Sequence, residues 1–115
     1  MLEKKIQIKI LEKVLDKLIN SRHIEKLGLC TLISREIKKE LDLEDDFPTY
    51  TLINIESYIP LFTRLNAVKY AYGKVNGMFW WSHNYYDFVN GYDFTNRILF
   101  INWIISKLNT ELNNE

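Results

Sequence analysis

Cys30, His23 and His83 are the residues of this 115-residue chain from which a nucleophile–base pair could be built. A thiol becomes a useful nucleophile when a neighbouring imidazole or positive field holds it as thiolate. Cys30 instead stands between Leu29 and Leu32 at the apolar start of a helical pattern, where a cysteine usually serves as a small buried hydrophobe. His83 and Asp87 lie four residues apart, the spacing of two ligands on one helix face, but two ligands do not hold a zinc ion. Glu44, Asp45 and Asp46 offer hard oxygen ligands, yet the alternating ligands and central glycine of a calcium loop do not surround them. That acidic run reads as a solvated loop or as an acidic face that attracts a basic partner. The residues therefore predict a non-enzymatic protein with no catalytic centre, no cofactor and no metal site.

Charge is arranged more suggestively. Lys5, Lys9, Lys13 and Lys17 recur at four-residue steps and stack along one ridge of a helix. Arg35, Lys38 and Lys39 form a second basic cluster on the next helix. Two basic ridges could follow a phosphate backbone, with a salt-dependent affinity. Against this, Glu12 and Asp16 sit three residues from Lys9 and Lys13, as on an ordinary solvated face. No helix-turn-helix, zinc-finger or RNA-recognition signature accompanies the ridge. Nucleic acid is a secondary expectation.

The densest feature is Phe79 to Phe94. This run of 16 residues holds Phe79, Trp80, Trp81, Tyr85, Tyr86, Phe88, Tyr92 and Phe94, half of the chain's aromatics, and shows no clean helical period. Two readings stand open. The segment is a loop that plugs the core with its aromatics, or it presents Trp80, Trp81, Tyr85, Tyr86 and Tyr92 to a protein partner, since Trp and Tyr dominate the energetics of interfaces.

Length and composition bound the rest. A chain of 115 residues with 47% hydrophobic and 26% charged content is one folded domain, residues 1–115, with room for a single core. Fifteen basic and fifteen acidic side chains cancel, so net charge favours neither nucleic acid nor membrane. Residues 1–39 nevertheless carry ten Lys and Arg against five acids, and the remainder reverses that ratio, which predicts one basic and one acidic face. The lone cysteine excludes an internal disulfide and fits a reducing compartment. The N-terminal stretch alternates charged and apolar residues, unlike a signal peptide, and no apolar run is long enough to span a membrane. The expectation is a cytoplasmic protein.

Periodicity predicts the elements that carry these residues. Ile8, Leu11, Leu15 and Leu18, widened by Ile10 and Val14, form the stripe of an amphipathic helix from Glu3 to about Asn20. Leu29, Leu32, Ile33, Ile37 and Leu41 mark a second, ending in the acidic run before Pro48. Thr49 or Thr51 can cap a short third helix through Leu52, Ile55 and Ile59. Pro60 then suits the first turn of a fourth, Leu61 to about Tyr72, closed by Gly73 and Gly77. After the aromatic loop, Asp93 or Thr95 caps a closing helix to about Asn109 whose apolar arc includes Ile98, Phe100, Ile101, Trp103, Ile104, Ile105, Leu108 and Leu112. So wide an arc predicts that this helix is central and the most buried, followed by a frayed tail, Asn113 to Glu115. The expected fold is all-α, one compact domain of about five helices with an aromatic-rich loop before the closing helix.

Gly28-Leu29-Cys30 opening a helix, the Trp80-Trp81 stretch, and Arg97 leading an apolar closing helix together resemble a class of small phage- and prophage-encoded proteins. The similarity covers roughly residues 28–105. It brings no catalytic residue with it. The resemblance implies a context: small cofactor-free phage proteins often bind and disable host machinery, and the anti-CRISPR inhibitors are the best-known group. The implied partner is a host defence protein or its nucleoprotein complex.

Overall fold

A computed structural model of the chain describes residues 2–20, 29–43, 52–61 and 94–115. The described residues form four helices and no strand: α1 (Lys4–Asn20), α2 (Leu29–Leu41), α3 (Leu52–Tyr58) and α4 (Phe94–Asn113). The all-α expectation holds for them, and the Cα radius of gyration of 13.6 Å is that of one compact domain of this length. Of the expected helix from Leu61 to Tyr72, Pro60 and Leu61 are seen as a turn; the rest lies outside the described residues.

Helix α1 forms where the apolar period and the absence of Gly and Pro allow it, but its buried stripe is rotated from the expected one. Gln7, Ile10, Leu11, Val14 and Leu18 are buried, while Ile8 and Leu15 are half-buried at the margin. The reason is the first turn. Gln7 donates from Nε2 to the Leu2 carbonyl at 2.6 Å, which lets a polar side chain occupy a core position. The Leu2 amide in turn donates to the Tyr58 carbonyl at 3.4 Å, tying the entry of α1 to the end of α3. The Glu3 carbonyl accepts from Ile6 and Gln7, starting the helical ladder.

Helix α2 buries Leu29, Leu32, Ile33, Ser34 and Ile37, matching its predicted stripe, with Leu41 half-buried at the end. Its terminus is a Schellman motif: the Leu43 amide reaches back to the Lys38 carbonyl at 3.1 Å, and the Asp42 amide to Lys39 at 3.4 Å. That geometry places Asp42 at a φ of 52°, the left-handed region that glycine occupies without steric cost. The Asp42 carboxylate also sits at the negative end of the helix dipole. Replacing Asp42 by Gly is therefore expected to raise the unfolding free energy by about 0.5–1 kcal/mol, seen as a higher denaturation midpoint at unchanged slope. A lower midpoint would show that the aspartate side chain makes a compensating contact.

Helix α3 is short and is extended by the Ile59 amide donating to Ile55 at 2.7 Å before Pro60 ends the ladder. Ile55 and Ile59 reach the core and Tyr58 and Leu61 pack against it.

Helix α4 departs from expectation in two respects. It is not the central element among the described helices. Helix α1 packs against both α4 and α2, α2 packs on against α3, and α4 packs chiefly along α1. Accordingly α4 buries one face, Arg97, Phe100, Ile101, Ile104 and Leu108, at spacings of three and four residues. Ile98, Trp103 and Ile105 pack at its margins, and Leu99 remains 47% exposed. The tail also does not fray as expected. The helix runs to Asn113: Leu112 is half-buried, the Asn114 and Glu115 amides continue the turn, and the Glu115 carboxylate pairs with Lys4. No helix among the described residues is long and apolar enough to cross a membrane.

Candidate functional site

The basic ridge is the predicted site that the structure describes best. Lys5, Lys9, Lys13 and Lys17 all lie on the exposed side of α1, and Arg35 and Lys39 are exposed on α2. Packing of the two helices joins the ridges through one carboxylate. Glu40 on α2 accepts from Lys9 at 2.9 Å through Oε1 and meets Lys13 at 3.5 Å through Oε2. The Glu40 side chain keeps only 18% of its surface accessible, whereas the two lysines keep about half of theirs. Beside it Glu36, more covered still, meets Lys39 at 3.8 Å. The result is a recessed pair of carboxylates with lysines raised on either side.

The expected acids on α1 itself, Glu12 and Asp16, are not the partners of Lys9 and Lys13. The partner, Glu40, comes from the neighbouring helix and carries no signal within α1. The hydrogen bond from Lys9, reinforced by the charges of Lys9 and Lys13, holds the Glu40 carboxyl below the ordinary carboxylate range. A depressed carboxyl supports the fold at pH above its unfolded pKa and loses that contribution as pH falls through the folded value. The pairing also ties down the two central lysines that a phosphate backbone would have to recruit. Binding of the protein to DNA or RNA is accordingly expected to be weak and to disappear with added salt. Charge reversal of Lys13 and Lys17 to Glu should leave the chain folded, with a melting temperature shifted by only a few degrees. Nanomolar binding that persists at physiological salt would make the ridge a nucleic-acid interface; unfolding of the double variant would mean the ridge is structural.

A shallow hollow of about 480 Å³ opens where the start of α1 meets the end of α4, lined by Leu2, Glu3, Lys4, Lys5, Leu112 and Glu115. Its central charges are already spent on each other: Lys4 donates to Glu115, and that hydrogen bond raises the Lys4 ammonium above its usual range. On α3, burial alone pushes the Glu56 carboxyl up. Among the described residues neither place assembles a nucleophile with a base, and no three His, Cys, Asp or Glu side chains stand close enough to share a metal ion.

Arg97 is the residue whose setting the spacing of charges did not reveal. It is completely buried, one turn before Phe100 and Ile101 on the apolar face of α4. The signal was available in its position: Arg97, Phe100 or Ile101, Ile104 and Leu108 share one helical period. A guanidinium stays charged at any pH a protein meets, so its burial requires that its surroundings engage it, as they do here.

The remaining predicted site residues lie outside the described ones. These are the aromatic set Trp80, Trp81, Tyr85, Tyr86 and Tyr92, the acidic run Glu44, Asp45 and Asp46, and His23, His83 and Asp87. Cys30 falls in the first turn of α2. No protein-family model matches the chain, and no similar curated protein or solved structure was found.

Proposed function

We propose that this is a non-enzymatic binding protein of phage type that inhibits a host defence protein by occluding or distorting it, with a CRISPR effector as the first target class to test. One observation carries the binding part of this reading: the concentration of the chain's aromatics in one short segment. The fully buried hydrophobic cluster of the described helices consists of thirteen aliphatic side chains and a single aromatic, Phe100, with Trp103 stacked beside it at 6.1 Å between ring centres. That cluster draws its side chains from α1, α2, α3 and α4. Half of the chain's Phe, Tyr and Trp are concentrated in Phe79–Phe94, and these are the residue types that anchor protein interfaces. The inhibitor part rests on the resemblance carried by Gly28-Leu29-Cys30, Trp80-Trp81 and Arg97.

Affinity capture from a bacterial lysate, with and without nuclease and followed by mass spectrometry, tests the proposal. A discrete protein retained after nuclease treatment is the expected result. Capture that vanishes with nuclease would replace the proposal by the nucleic-acid reading of the α1 ridge, an accessory protein or repressor.

A further inference from the structure

We draw no further inference here: the strongest candidate, the outward patch on α4 where exposed Leu99 and half-buried Trp103 lie one turn apart, carries nothing because nothing in the structure shows what covers it.

Discussion

Truncating Leu11 to Ala lowers the unfolding free energy by about 2–5 kcal/mol, the range for removing a well-packed aliphatic from a core that cannot fully collapse. Leu11 is completely buried on α1, the helix that packs against both α2 and α4. A loss there weakens two helix contacts at once. Ile101 is equally buried on α4, against that same helix, and its truncation falls in the same range of about 2–5 kcal/mol. Ile105, half-buried at the edge of the stripe, loses less on truncation to Ala, and Ile19, 52% exposed, loses almost nothing. Domains of this size are stable by only about 5–15 kcal/mol, so either core variant stands well clear of the error of a denaturant titration. Changes under about 0.5 kcal/mol at both Leu11 and Ile101, where a core truncation should cost several times that, would mean that the α1–α4 seam is not the core.

Replacing Arg97 by Ala costs about 3–5 kcal/mol, the range for truncating a large, fully buried side chain. Two losses combine in that figure. The side chain is among the largest of the fully buried ones, so its removal opens a cavity. The interaction that the guanidinium makes is lost with it. Arg97→Met keeps most of the aliphatic bulk and isolates the second loss. Arg97→Lys keeps the charge but not the planar bulk of the guanidinium that fills the buried site, so it recovers only part of the stability. Equal stability of the Lys variant and the unsubstituted protein in urea would contradict this account, since the shape of the buried guanidinium would then have no role.

The helices were legible where local period and local punctuation agree. In α2, Leu29, Leu32, Ile33 and Ile37 fall on one face, and helix ends where the acidic run begins; both features are local, and both appear in the structure. In α1 the same reasoning missed the orientation by part of a turn. It weighed apolar residues alone, and Gln7 reaches the interior through a hydrogen bond to Leu2 that apolar counting does not register. The place of α4 among the described helices was not legible for a related reason. A wide apolar arc sets how much a helix can cover, but which helix lies between two others depends on packing between distant segments.

The candidate site divides the same way. Spacing placed Lys5, Lys9, Lys13 and Lys17 on the outside of α1, where they lie. It could not supply Glu40, which comes within reach only once α1 and α2 pack side by side. Arg97 shows the converse: its position in the period marked it as inward, while its residue type suggested solvent. For Phe79 to Phe94 the chain offers composition without a period, and composition alone leaves core plug and partner surface both open.

That segment is where the proposed function is tested most directly. Adjacent side chains point in different directions on an extended or turned backbone, so Trp80 and Trp81, and likewise Tyr85 and Tyr86, are expected to divide between core and partner. The decisive measurement is the melting temperature and the affinity for the lysate-captured protein of the four single alanine variants. The proposal predicts that one member of each pair lowers the melting temperature markedly. The other should leave it unchanged and weaken binding by about 1 kcal/mol or more, a modest hot spot. Four variants that only destabilise, with affinity unchanged wherever the protein is folded, would contradict the proposal and return the aromatic segment to the core.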